Sequence, residues 1–219
     1  MGGDTPKQFL SLEGVPIFVH TLRKFVTSED IDEILLGLRI EDMERASVEV
    51  EREHFSKPVR LVVGGPTRQE TVARCLAEAP AGTEIVVVHD AVRPFVELKM
   101  IHLVVEAARK EGAAILGILS VDTVKQVERQ IILGTIPRQR IVLAQTPQAF
   151  RYELLRNAAD HALAEGFSGT DESSLVEREG QKVVILMGSD RNIKITKPSD
   201  LPLARLYIAQ EREHIFHDA

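Results

Sequence analysis

Residues that could bind or steer a charged group cluster just behind runs of Ile and Val. His89-Asp90-Ala91-Val92-Arg93-Pro94 follows Glu84 to Val88 and sets a carboxylate three residues from a guanidinium. Such a pair can hold a ribose hydroxyl and a phosphate, or its members can simply pair with each other. Gly64-Gly65-Pro66-Thr67-Arg68 follows Val59 to Val63. Its glycines permit positive φ and let a ligand approach backbone N–H groups at a helix start, although a plain strand-to-helix turn would use the same residues. In Gly188 to Thr196 polar and apolar residues alternate, which would place Asn192, Lys194 and Thr196 on one face of a short strand, ligand-facing or merely solvated. Thr170-Asp171-Glu172 reads as a helix cap. Lys7, in Pro6-Lys7-Gln8-Phe9, has no periodic neighbours and on its own reads as a surface lysine.

The elements that would carry these residues alternate in hydrophobic period. Short runs dense in β-branched residues, at Glu33 to Leu38, Val59 to Val63, Glu84 to Val88, Ala113 to Leu119 and Lys182 to Met187, predict buried strands. Amphipathic stretches predict helices at Pro16 to Val26, Glu41 to His54, Thr67 to Ala79, Leu98 to Glu111, Tyr152 to Glu165 and Pro198 to Glu213. Strands spaced by helices imply right-handed crossovers and a Rossmann-like α/β fold, a mainly parallel sheet with helices on both faces. Ligands of such a sheet bind outside the carboxyl ends of its strands, where the clusters above fall.

The chain has 219 residues and 44% hydrophobic content, which suits a single domain spanning residues 1–219. A net charge of −6 argues against a duplex-DNA binder, so an anionic ligand must meet a local group of cations. One cysteine, Cys75, leaves no intrachain disulfide and no Cys-rich zinc site. No apolar run has signal-peptide or membrane-span character, so the expected location is the cytoplasm. From Val121 to Leu143 the alternation breaks: Thr123 to Val127 and Gln130 to Leu133 form two strand-like runs around Glu128-Arg129. This predicts a hairpin arm over about 121–143. A lone hairpin is marginal in water, so the arm is expected to pack on a second copy of the chain, giving a homodimer.

Taken in order, Pro6-Lys-Gln-Phe-Leu, Gly64-Gly-Pro-Thr-Arg, Val88-His-Asp-Ala-Val-Arg-Pro, Asp122-Thr-Val-Lys, Gln145-Thr-Pro-Gln-Ala-Phe, Thr170-Asp-Glu and Asn192-Ile-Lys-Ile-Thr resemble the 2-C-methyl-D-erythritol 4-phosphate cytidylyltransferases. The resemblance implies transfer of a cytidylyl group from CTP to the methylerythritol phosphate, giving 4-diphosphocytidyl-2-C-methyl-D-erythritol and pyrophosphate, with Mg²⁺ carried by the triphosphate and no metal site of the protein's own. It implies no covalent enzyme intermediate: the protein aligns two polyanions and stabilises charge at the α-phosphate. By position it implies Lys7 as a transition-state lysine and Lys194 as the lysine that positions the acceptor phosphate. Arg138 would orient the acceptor and Thr123 would stand on the arm, both reaching a neighbouring subunit's site. Gly64, Gly65 and Thr71 would read the cytosine edge, Asp90 would lie near the ribose and metal, and Arg93, Thr146 and Thr170 would face the acceptor.

The family begins with a buried strand and a loop of the type Ala-Ala-Gly-x-Gly-x-Arg whose N–H groups wrap a triphosphate. Here the sequence opens at Met1-Gly-Gly-Asp-Thr, without that strand or loop, and a start codon assigned too far downstream is the expected reason. Four or five buried apolar side chains of such a central strand would contribute about 6–15 kcal/mol at about 1.5–3 kcal/mol each, so instability is expected without them. Smaller departures are Thr71 where Ser is usual, Val92 where Ala is usual, and Arg191 before Asn192. Two alternatives stand beside this reading: a ribitol 5-phosphate cytidylyltransferase, and a catalytically dead nucleotide-binding relative.

Overall fold

The computed structural model describes residues 6–217, with side-chain surroundings through Glu211. The opening residues 1–5 and the last two lie outside the described residues. Ten strands and seven α-helices are described: β1 (Ser11–Leu12), β2 (Val15–Pro16), α1 (Ile17–Thr27), β3 (Ile34–Leu38), α2 (Met43–Glu53), β4 (Val59–Val63), α3 (Arg68–Ala77), β5 (Ile85–Val88), α4 (Leu98–Glu111), β6 (Ala113–Leu119), β7 (Val124–Glu128), β8 (Ile131–Ile136), β9 (Val142–Arg151), α5 (Tyr152–Ala164), α6 (Glu172–Arg178), β10 (Val184–Met187) and α7 (Leu201–His217).

The core strands form two blocks. Strands β3 and β4 pair in parallel, and a four-stranded sheet runs β10-β6-β9-β5. Strands β6 and β10 are parallel, whereas β9 runs antiparallel between β5 and β6, so the mainly parallel sheet expected from the alternation is a mixed one. The expectation missed β9 because polar Gln145, Thr146 and Gln148 interrupt its apolar run, yet all three are buried.

Period-two alternation sends β5 and β6 side chains to opposite faces. Ala114 and Leu116, with Ile85 and Val87, pack under α4 and Phe25 of α1. Ala113 and Ile115, with Val86 and Val88, pack under α5, α6 and Leu76 of α3. Helices therefore cover both faces, as expected. Helix α4 forms because Met100, Ile101, Val104, Val105 and Ala108 fall on one stripe. It ends at Gly112, whose φ of 96° suits glycine and whose N–H donates to the Ala108 carbonyl. Burial of a side chain such as Ile101 contributes about 1.5–3 kcal/mol.

Between β3 and β5 lies an apolar slot of about 910 Å³. The two strands form its sides, α1 (Phe18, Leu22, Phe25) one face and α3 (Val72, Cys75, Leu76) the other. Among the described strand pairings, none uses the slot-side edge of β3 or β5.

The predicted hairpin is present. Strands β7 and β8 pair antiparallel across Arg129 and Gln130, which both take positive φ, 45° and 68°, as a tight two-residue turn requires. Val121, Val127, Ile131, Ile132 and Leu133 are all more than half exposed.

The segment Gly188 to Thr196 forms no strand, contrary to the alternation. Ile195 donates to the Val92 carbonyl at 2.9 Å, Asn192 is fully buried and Lys194 is exposed, so Asn192 and Lys194 do not share a face.

Candidate active site

Asp90 leaves the end of β5 and becomes the hub of the polar groups. Its Oδ2 accepts from Lys194 Nζ at 2.8 Å and from Arg93 Nε at 3.4 Å, and its Oδ1 from Arg68 Nε at 3.2 Å. Its backbone N–H donates to Thr146 Oγ1 at 3.1 Å. Burial alone would raise the Asp90 carboxyl, but Lys194, Arg68 and Arg93 outweigh it and hold the pKa at about 2. The anion is thus kept charged by three cations.

The carbonyl of Asn192 accepts from Arg93 Nη1 at 2.8 Å, and Asn192 Nδ2 donates to the Thr146 carbonyl at 2.8 Å. These bonds tie the Lys194 loop to both β9 and the loop after β5. His89 stays neutral: burial lowers its pKa to about 4, and Nε2 pairs with the Arg93 carbonyl.

Two cavities meet here. Arg93, Thr146 and Thr170 border a small one of about 250 Å³, and Lys7 and Thr71 border the large slot. Asp90, Lys194 and Arg68 line both. Lys7 is exposed at the slot, in a 3-10 turn spanning Lys7–Phe9 that is anchored by buried Phe9. The structure therefore gathers Lys7, Thr71, Asp90, Arg93, Thr146, Thr170 and Lys194 around one divided cavity. Gly64, Gly65, Thr123 and Arg138 are not among them. Thr123 and Arg138 are exposed at the base of the arm, with Arg138 Nη1 donating to the Val121 carbonyl at 2.8 Å.

The glycine turn works differently from its expectation. Neither Gly64 nor Gly65 takes positive φ. Their N–H groups are consumed internally, Gly64 by the Leu38 carbonyl at 2.6 Å and Gly65 by Thr71 Oγ1 at 3.0 Å. Glycine is required because a Cβ on Gly64 would meet Thr71 Oγ1 at 2.7 Å, and one on Gly65 would collide with Glu70. The turn packs on the start of α3, where Thr67 caps the helix by accepting from the Glu70 N–H.

Sequence reasoning passed over Arg68 and Glu172, although both lie inside motifs it singled out. Glu172 is 1% exposed, and Arg68 Nη1 donates to both of its carboxylate oxygens at 2.8 Å. Burial pushes the Glu172 carboxyl up in spite of Arg68. Asp171, as expected, caps α6 and accepts from the Ser174 N–H at 3.0 Å.

Comparison with known proteins decides the family. The model described as IspD, 2-C-methyl-D-erythritol 4-phosphate cytidylyltransferase, matches residues 1–210. The chain belongs to this cytidylyltransferase family. It is 50% identical over 210 residues to the 2-C-methyl-D-erythritol 4-phosphate cytidylyltransferase of Acidobacterium capsulatum, covering 94% of this chain and 88% of that protein. It is 48% identical over 213 residues to that of Solibacter usitatus, covering 95% and 87%. The fold superposes on the crystal structure of 4-diphosphocytidyl-2C-methyl-D-erythritol synthase from Anaerococcus prevotii with a TM-score of 0.85, at 31% identity over 91% of this chain and 88% of that one. The Thermus thermophilus cytidylyltransferase gives 0.80, at 33% identity over 93% and 94%. As a member of this cytidylyltransferase family the chain is a nucleotidyltransferase, and the family's reaction moves a cytidylyl group from CTP to 2-C-methyl-D-erythritol 4-phosphate.

Proposed function

We propose that the divided cavity around Asp90 and Lys194 is where this chain performs that reaction. A phosphate oxygen of methylerythritol phosphate attacks the α-phosphorus of CTP; the new P–O bond forms as the bond to the β-phosphate breaks, and pyrophosphate leaves. The attacking phosphate is already an adequate nucleophile, so the protein's task is alignment and charge stabilisation. The observation that carries this reading is that Lys194 stands on the wall between the two cavities, 2.8 Å from Asp90, where one ammonium can serve both phosphates.

In this reading Lys7 stabilises the charge building at the α-phosphate, and Arg93, Thr146 and Thr170 hold the acceptor in the smaller cavity. Gly64, Gly65 and Thr71 meet the cytosine edge. The Gly65 carbonyl and Thr71 hydroxyl are acceptors of the kind that suits its 4-amino donor. The acceptor preference for methylerythritol phosphate over ribitol 5-phosphate follows the family to which the chain belongs.

A Mg²⁺ ion carried by the triphosphate would be held by phosphate oxygens and water, with Asp90 bordering both cavities beside it and its own oxygens engaged by Arg68, Lys194 and Arg93. When bound, such an ion neutralises charge on the phosphates. We read the exposed apolar arm as a dimer contact that delivers Arg138 and Thr123 to a neighbouring subunit's site. No described helix is long and apolar enough to cross a membrane, and a cytoplasmic location suits an enzyme of soluble phosphates.

Replacing Lys194 tests the mechanism. Lys194→Ala should leave the circular-dichroism spectrum unchanged and lower CTP-dependent pyrophosphate release on the order of a hundred- to a thousandfold. Unchanged turnover would remove Lys194 from the reaction.

A further inference from the structure

Glu172 borders neither cavity, yet it is one of the most deeply buried charged side chains among the described residues. A buried carboxylate gives up its hydration, and well-packed apolar residues usually serve stability as well or better. Its contacts point to another task. Both oxygens accept from Arg68 Nη1 at 2.8 Å, which leaves the Nε of the same guanidinium directed at Asp90 Oδ1, 3.2 Å away. The planar fork of Arg68 is therefore clamped at one end by Glu172 and holds Asp90 with the other. Occupation of Oδ1 reserves Oδ2 for Lys194 and Arg93.

Building on the proposed site, we propose that Glu172, acting through Arg68, is a positioning residue. The pair fixes the plane of the Asp90 carboxylate so that Oδ2 holds the Lys194 ammonium on the wall between the two cavities. Without the clamp, Asp90 is free to rotate and offer both oxygens to Lys194 and Arg93, drawing the two cations toward itself and away from the phosphates. A misplacement of about 1 Å at a reacting centre can cost about a hundredfold in rate.

The test exchanges the pair for apolar side chains, Arg68→Met with Glu172→Met, which preserves packing without leaving a charge unpaired. The expected result is a melting temperature close to that of the parent, kcat lower by roughly ten- to a hundredfold, and KM for CTP and the acceptor within about threefold. In an Asp90→Asn background the same double exchange should cost little more, because its effect passes through Asp90. Parent-like kcat in the exchanged protein, or an equal loss from the double exchange with and without Asp90, would overturn the proposal. A readout independent of turnover is the crystal structure of the exchanged protein, in which the Asp90 carboxylate should turn to offer both oxygens to Lys194 and Arg93. A carboxylate that keeps its orientation overturns the clamp whether or not the chain is active. Absence of turnover in the parent would count against the proposed function and leave the carboxylate orientation to decide the clamp.

Discussion

Asp90 stores a pH dependence in the fold. Its folded pKa, about 2, lies below the ordinary 3.8 because three cations favour the anion. The resulting stabilisation, about 2 kcal/mol, is fully present above pH about 4 and is lost as pH falls through about 2. Urea unfolding of the parent and Asp90→Asn between pH 5 and pH 2 should show their stability difference shrinking by roughly that amount; a constant difference would mean Asp90 is not held this way. Asp90 and Lys194 were legible in the sequence because one directly follows a strand and the other lies in a motif of recognisable order. Glu172 was not. What makes it notable is burial against an arginine 104 residues away, and no local period encodes that meeting.

Elements with a clean period were read closely: α4, β4 and β6 begin and end where expected, since apolar residues on one stripe or one face have a single way to be buried. Helix α6 went unread as a helix, with only its cap legible, because seven residues give too few turns for a pattern. Strand β9 hid behind buried polar residues whose partners are distant, such as Gln148 with Asp171 at 2.7 Å. The arm makes its own prediction. Shortening the segment between Val121 and Leu143 should turn dimers into monomers in analytical ultracentrifugation, whereas an unchanged sedimentation coefficient would place any interface elsewhere.

Over the whole molecule, cation placement outweighs net charge. A chain with an excess of six negative charges gathers Lys7, Arg93 and Lys194 at the divided cavity, so the local sign there differs from the overall one. Two sheet blocks meet at that cavity, one ending at the glycine turn and the other at Asp90, while the Lys194 loop is tied across β9 by Asn192. The most direct test is CTP-dependent pyrophosphate release with methylerythritol phosphate and with ribitol 5-phosphate. The account predicts release with methylerythritol phosphate and little with ribitol phosphate. Preference for ribitol phosphate, or no release from the folded protein, would contradict it.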